Sequence, residues 1–379
     1  MLYVSRALEA PAVIFFYEVT MTTDKPNSLY PVIPCFDTLS DFQTLLKAHK
    51  AARKGKQDTA EEIQFDAELS ENLWSLVNAL KDGTYNLLPY YTFTINDPKT
   101  RVIHALHYRD RVVQHALCDN VLRPVLEPRL IYDNSACRIG KGTHFSMNRL
   151  TKFFTKFYRE FGTNGYILRC DIRKFFDNID HEILKAKLRP LFSDGRIYNL
   201  LTLIIDSYYT TPGRGLPLGN QTSQWFAIYF LDVFDRLIKE RFQIKFYTRY
   251  MDDAVMIHSS REYLEYVRDE LSEYLKSIGL EFNAKTQVFP IKNGVDYLGF
   301  HFKLAETGKV RRRVKTPTKR KLKKALKRLQ WEYDAGDRTE KEIREILNSY
   351  NAHLRHGHTK GLRVLIRNSY IVLEKADAA

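Results

Sequence analysis

Two adjacent carboxylates, Asp252 and Asp253, stand between two short β-prone stretches, Phe246-Tyr247-Thr248-Arg249 and Ala254-Val255-Met256-Ile257. Strands joined through Tyr250-Met251-Asp252-Asp253 predict a hairpin with both acids at its tip. The apolar flanks push that tip out of a core, and nothing in the neighbouring sequence neutralises the acids. A hard divalent cation would, since Mg²⁺ takes one or two carboxylates and leaves its other positions to water and phosphate. A solvated turn is the competing reading, because Asp is a common turn residue. A third acid decides between them. Asp171 ends another predicted strand, Tyr166-Ile167-Leu168-Arg169-Cys170. Side by side, strand end and hairpin tip would converge three carboxylates on one point, enough to hold two metal ions roughly 4 Å apart for in-line nucleotidyl transfer. Asp177 and Asp180 lie nearby but off the strand end, and are read as residues that begin a helix.

Composition agrees with such a partner. The net charge of +14 points to a polyanion, and 13% aromatic content supplies stacking surface. With 379 residues and 44% hydrophobic content, the chain can bury one large core or two to three smaller ones. An anionic membrane is the rival surface, but the longest apolar stretch near the start, Pro11 to Tyr17, is too short to span a bilayer. No basic n-region or small-residue cleavage site frames it as a secretory signal. Cys35, Cys118, Cys137 and Cys170 show no CxxC spacing, which argues against a disulfide framework or zinc site and fits a reducing cytoplasm. His353, His356 and His358 lack a Cys or acidic partner at ligand spacing, so a structural or RNA-facing role is preferred to metal binding.

Periodicity predicts helices from Thr38 to Leu80, over Arg109–Leu117, from about Asp180, over Thr222–Lys239 and over Arg261–Ile278. Tyr91–Ile95 has strand character, and Asp97–Arg101 is a turn carrying Lys99 and Arg101. Cys137–Thr143 is glycine-rich and basic and could admit a phosphate, a weak signal by itself. Phe282–Thr286 and Gly294–Phe300 read as strands and turns closing a sheet. From Lys309 the character changes: 12 of the 20 residues from Lys309 to Arg328 are Lys or Arg and none is acidic. The expected organisation is an N-terminal extension over 1–37, a main body over 38–305 and a basic helical region over 306–379.

With these residues in place, the chain resembles reverse transcriptases. Asp171-Ile172-Arg173-Lys174-Phe175-Phe176 matches the first acidic motif of the polymerase palm and Tyr250-Met251-Asp252-Asp253 the second, within a likeness running from about residue 40 to 370. The resemblance implies an α+β right-hand polymerase: fingers and palm (antiparallel sheet plus helices) over 38–305 and a helical thumb over 306–379. It implies Asp171 and Asp252 as principal metal ligands, the Ile172 carbonyl as an assisting one, and Asp253 as required nearby but coordinating less directly. The cofactor would be two Mg²⁺ ions, and Mn²⁺ also suits oxygen ligands. Lys285 matches a basic residue that protonates the departing pyrophosphate. Lys99 and Arg101 match the fingers cations that grip the incoming triphosphate. Phe176, five residues after Asp171, falls at the family's sugar gate, where a bulky ring excludes a 2′-hydroxyl and selects dNTPs. An RNA-dependent RNA polymerase would want a small or polar residue there, and a plain core role is the bland alternative.

The loop Leu216-Pro217-Leu218-Gly219-Asn220-Gln221-Thr222-Ser223-Gln224 narrows the likeness. Many reverse transcriptases carry Gln before this glycine and Ser-Pro at the end. Leu218 and Ser223-Gln224 instead resemble the enzymes of diversity-generating retroelements, as do Arg109–Leu117, Ala136–His144, Gly294–Phe300 and His353–Leu365. That family copies a template-repeat RNA into cDNA with errors opposite adenines, which implies a structured template RNA, dNTPs and a small basic accessory protein as partners. Leu218 cannot make the directional contact of a Gln where base-pair geometry is judged, so error-prone copying is expected. Asp177-Asn178-Ile179-Asp180-His181 looks more like retron and group II intron enzymes, whose relatives serve in phage defence with a noncoding RNA template. A polymerase-derived RNA-binding protein with dispensable chemistry is a further reading, opposed by the presence of all three acids and Lys285. In the thumb, Arg311, Arg312, Arg313, Lys319, Arg320, Lys323 and Lys324 are expected to track the phosphates of an RNA–DNA hybrid, against the alternative of a solvated charged face. No RNase H-like or endonuclease module is expected after the thumb.

Overall fold

Among the described residues, three antiparallel sheets organise the fold. The computed structural model describes residues 35–54, 59–95 and 100–369. The N-terminal extension, except its last three residues, therefore lies outside the described residues. β1 (Tyr91–Ile95) and β2 (Arg101–Ala105) form a hairpin in which Phe93 faces Ile103 across the strands. The central sheet comprises β3 (Tyr166–Cys170), β4 (Phe246–Tyr250), β5 (Asp253–His258) and β6 (Gln287–Pro290), in the order β4-β5-β3-β6. The third holds β7 (Val295–Tyr297), β8 (Phe300–Leu304) and β9 (Val310–Val314).

The three strands β3, β4 and β5 are largely buried because both faces of their sheet are covered. Leu168, Cys170, Tyr247, Ala254 and Met256 enter one core; Ile167, Phe246, Val255 and Ile257 enter the other. Alternation along each strand makes that division. The first core receives Leu264, Val267, Leu271 and Leu275, at helical spacing on Arg261–Ser277, whose start is capped by the Ser260 hydroxyl accepting from the Tyr263 N–H. The second receives Met147, Leu150, Phe153, Phe154 and Phe157 from helix Thr143–Phe161. The described residues belong to one compact unit.

The structure corrects two sequence expectations. Thr222–Lys239 is not one helix: Gln221–Phe230 stops at Leu231, Asp232–Arg236 follows, and Leu237–Arg241 is a wider π-type turn. Leu231 leaves helical geometry at φ −97° and ψ 19°, and past this break Asp235 is fully buried. The basic region is also not helical throughout. β9 comes first, with Val310 and Val314 inward and Arg311 and Arg313 outward, a period-two pattern that fits a strand and no helix. The helices Thr316–Asp334, Glu340–Leu354 and Lys360–Ser369 follow. The middle one opens with a reciprocal capping box between Thr339 and Glu342.

Candidate active site

Strand register builds the site. Cys170 pairs with Ala254 across β3 and β5, and Tyr250 pairs with Asp253 across the hairpin. One step beyond Cys170, Asp171 therefore emerges beside the acidic tip. Its backbone is fixed from the other side: the Asp171 N–H donates to Thr286 Oγ1 at 3.1 Å, and its carbonyl accepts from the Asn283 N–H at 2.7 Å. An antiparallel bridge between Ile172 and Phe282 continues this edge, and its flanking bonds use Asp171 O and the Arg173 N–H rather than the Ile172 carbonyl. Met251 and Asp252 form the two-residue hairpin loop, with Met251 at φ +55°.

The two tip acids have different surroundings. Burial raises the Asp252 carboxyl above its ordinary range, the negative charge of Asp171 adds to the shift, and Arg249 and Arg101 oppose it. Burial also pushes Asp253 up, to about 6, although Arg169 opposes it. Arg169 Nε lies 3.2 Å from Asp253 Oδ1. No neighbour in sequence neutralises Asp253; the cation comes from β3, 84 residues away. Among the described residues no three His, Cys, Asp or Glu side chains form a group able to hold a metal ion. Asp253 is paired with Arg169, whereas no ion pair is recorded for Asp171 or Asp252 among the described residues. That pair of carboxylates fits Mg²⁺, which uses one or two carboxylates together with substrate phosphates rather than a closed protein cage.

The remaining expected residues fall around this centre or away from it. The positive charge of Arg101 reaches Asp252, whereas Lys99 lies outside the described residues. Phe176 is half-buried, its ring 5.6 Å from that of buried Phe175, and its carbonyl accepts from the Leu216 N–H at 2.9 Å. Leu218 is half-buried; Gly219, at φ +111°, faces Ile103 of β2. A cavity of about 270 Å³ opens between the β1–β2 hairpin and this loop, lined by Phe93, Ile103, Gln114, Gly219 and Gln221 among others. Gln224 accepts a hydrogen bond from the Cys137 thiol at 2.6 Å, which ties the loop to the glycine-rich segment. Lys285 is exposed, its backbone N–H donating to Asn283 Oδ1 at 3.2 Å. Asp180 caps helix His181–Leu188 by accepting from the Glu182 and Ile183 N–H groups, as its position suggests.

In the C-terminal region Arg311, Arg313, Arg320, Lys323 and Lys324 are exposed, while Arg312 and Lys319 are half-buried. Arg312 Nη1 donates to Asn148 at 2.9 Å, and its backbone N–H donates to His358 Nδ1 at 3.0 Å. The His353 ring packs 5.2 Å from that of Phe300. His353 and His358 thus join the last helices to the β-sheet beneath. No helix among the described residues is long and apolar enough to cross a membrane. Sequence reasoning overlooked Arg169, Asp235 and Arg249 as parts of the site. A charged residue inside an otherwise apolar strand was the available signal for the two arginines, since unpaired charges are seldom buried.

A strand-end carboxylate beside a hairpin-tip pair, on an antiparallel sheet backed by helices, is the palm of a right-hand polymerase. The chain belongs to the reverse transcriptase family: residues 95–302, more than half of its length, match the family described as reverse transcriptase (RNA-dependent DNA polymerase). Protein YkfC of Escherichia coli (strain K12) is 23% identical over 303 residues, covering 69% of this chain and 79% of YkfC. The group II intron-encoded protein LtrA of Lactococcus lactis subsp. cremoris is 25% identical over 207 residues, covering 52% of this chain and 32% of LtrA. The chain thus matches about a third of LtrA's length. Telomerase from Candida albicans, solved with a fragment of telomeric RNA, aligns at a TM-score of 0.45 and 16% identity over 69% of this chain and 54% of that one. A likeness this loose carries no functional argument.

Proposed function

We propose that this chain is an RNA-directed DNA polymerase that copies a structured template RNA into cDNA by two-metal-ion nucleotidyl transfer. The observation that carries the reading is the meeting of the β3 end at Asp171 with the Asp252 turn. Asp171 and Asp252 would hold the divalent cations, with the Ile172 carbonyl assisting. When bound, those cations would activate the primer hydroxyl and neutralise charge on the departing pyrophosphate. Arg101, with Lys99, grips the triphosphate; exposed Lys285 gives the pyrophosphate its proton. Phe176 closes the space that a ribose 2′-hydroxyl would need, so the substrate is a dNTP. The exposed cations of β9 and the helix after it hold the hybrid through its phosphates.

The finer assignment is to a diversity-generating retroelement, with errors concentrated at template adenines. Leu218 in place of a hydrogen-bonding side chain, and Ser223-Gln224 at the end of the loop, support it. A small basic accessory protein belongs to the same reading. The test is sequencing of cDNA made in the native host by wild type and Asp252→Ala. cDNA from one repeat RNA with errors at adenines is the expected result. Accurate cDNA from a noncoding RNA during phage infection would move the protein to a defence or retron-like role. Absence of Asp252-dependent cDNA in both settings would overturn the polymerase assignment.

A further inference from the structure

Beneath the hairpin tip lies a charged pair that the chemistry above leaves unused. Arg249, the residue before Tyr250, and Asp235 are 0% and 1% exposed. The guanidinium meets the carboxylate through two hydrogen bonds, Nε to Oδ1 at 2.7 Å and Nη2 to Oδ2 at 2.6 Å. Its other bonds go to the main chain: Nη1 donates to the Met251 carbonyl at 2.7 Å and Nη2 to the Ile228 carbonyl at 3.1 Å. Asp235 also accepts from the Tyr247 hydroxyl and from Asn134 Nδ2. The Arg249 backbone is held as well, its N–H donating to the Asp133 carbonyl and its carbonyl accepting from the Ser135 N–H and hydroxyl.

Stability alone does not account for this pair. Two charges removed from water lose hydration that their mutual attraction often fails to restore, and apolar residues of similar volume commonly do as well. What the pair supplies is aim. The Met251 carbonyl belongs to the planar peptide unit joining Met251 to Asp252, so fixing that oxygen fixes the plane from which Asp252 hangs. Met251 holds a left-handed conformation at φ +55°, unfavourable for a long side chain and kept only where its surroundings enforce it. Asp253 has Arg169 to orient its carboxylate, whereas Asp252 follows directly on the Met251 carbonyl that Arg249 holds. The backbone is therefore what directs Asp252.

We propose that Arg249, braced by Asp235, is a positioning residue that locks the Met251–Asp252 peptide and so presents the Asp252 carboxylate beside Asp171. The role rests on the proposed polymerase function and acts through Asp252 without touching substrate. Arg249→Lys tests it, because an ammonium keeps the charge but cannot span the carboxylate and both carbonyls at once. Three readouts separate aim from folding: Mn²⁺ affinity of the full chain by paramagnetic titration, single-turnover primer extension with separate rate and dNTP affinity, and thermal unfolding. Outer groups that orient metal ligands typically cost about 10- to 100-fold when lost, so Mn²⁺ affinity and the extension rate should fall in that range. dNTP affinity should change by less than about threefold, because Arg249 makes no contact with the nucleotide. Tyr247→Phe, which removes a single hydroxyl from Asp235, should weaken Mn²⁺ binding in the same direction and by less. Wild-type Mn²⁺ affinity and rate in folded Arg249→Lys would overturn the proposal. So would a proportional loss of rate, metal and dNTP affinity that follows the unfolded fraction. If Arg249→Lys does not fold, unchanged Mn²⁺ affinity in Tyr247→Phe overturns it equally. A wild-type chain that binds Mn²⁺ but makes no DNA would end the polymerase reading, while the Mn²⁺ comparison would still judge the brace.

Discussion

The palm and the C-terminal basic region handle charge in opposite ways. In the palm, Arg249 and Asp235 are paired out of water, and Arg169 meets Asp253 between the two inner strands of the sheet. In the C-terminal region Arg311, Arg313, Arg320 and Lys324 stand on the surface in a run without an acid from Lys309 to Arg328. Buried charges act through geometry, because each must meet a partner at hydrogen-bond distance. Exposed charges act through number, because a polyanion held by its phosphates responds to their sum. On the proposed function, chemistry that needs sub-ångström placement would fall to the first region and grip on a duplex to the second.

The acids of the palm carry the largest expected effect. Asp171→Asn or Asp252→Asn should lower DNA synthesis by about 10³-fold or more, since each removes one of the two carboxylates that would hold the divalent cations. Primer-extension rates and template-RNA affinity, measured on the same samples, should part: synthesis lost, binding retained. Equal loss of both would mean that the palm acids serve folding.

Replacing Arg311, Arg313, Arg320 and Lys324 together with Ala should do the reverse. Binding to an RNA–DNA hybrid at physiological salt should weaken by about 100-fold, and the slope of log affinity against log salt should flatten by about three. The rate at saturating hybrid should remain. An unchanged salt slope would remove the phosphate-tracking role from this region.

Phe176→Ala sharpens the palm side. Opening the gate should raise incorporation of rNTPs relative to dNTPs by about tenfold, a change read from competing kcat/KM values. If the ratio stays put, Phe176 is a core residue. Leu218→Gln has a smaller expected effect: one added hydrogen bond near the nascent pair should lower misincorporation opposite adenine by about fivefold. Deep sequencing of the products reads it.

The smallest effect concerns the thiols. Burial holds the thiols of Cys118, Cys137 and Cys170 protonated, Cys137 being pushed up to about 12, whereas Cys35 is exposed. A native chain at pH 8 should therefore titrate one fast thiol, lost in Cys35→Ser. A second fast thiol assigned to Cys137 would show the loop tie to Gln224 to be open in solution.

Much of this was legible from the chain alone. The β-prone stretches around Tyr250–Asp253 became β4 and β5, and Tyr166–Cys170 became β3 with the boundaries expected. Helix Arg261–Ser277 ends one residue short of its expected limit. Each depends on periodicity or turn chemistry within a dozen residues. The errors came where distant partners intervene. Thr222–Lys239 carries an unbroken helical pattern, yet the chain turns at Leu231 and Asp235 lies buried against Arg249 of β4. The run of arginines at 311–313 looks like a charged helix until β8 pairs with it.

Residue type and short-range spacing are enough to place the acids at a strand end and a hairpin tip and to mark the one-signed charge after Lys309. Which acid is held by a cation depends on contacts between distant segments. The Cys170–Ala254 register sets Asp171 beside the tip, Arg169 claims Asp253, and Arg249 reaches back to the Met251 carbonyl. Strand partners are chosen by topology and by which faces must be buried, and a one-residue slip would turn every one of these side chains to the opposite face.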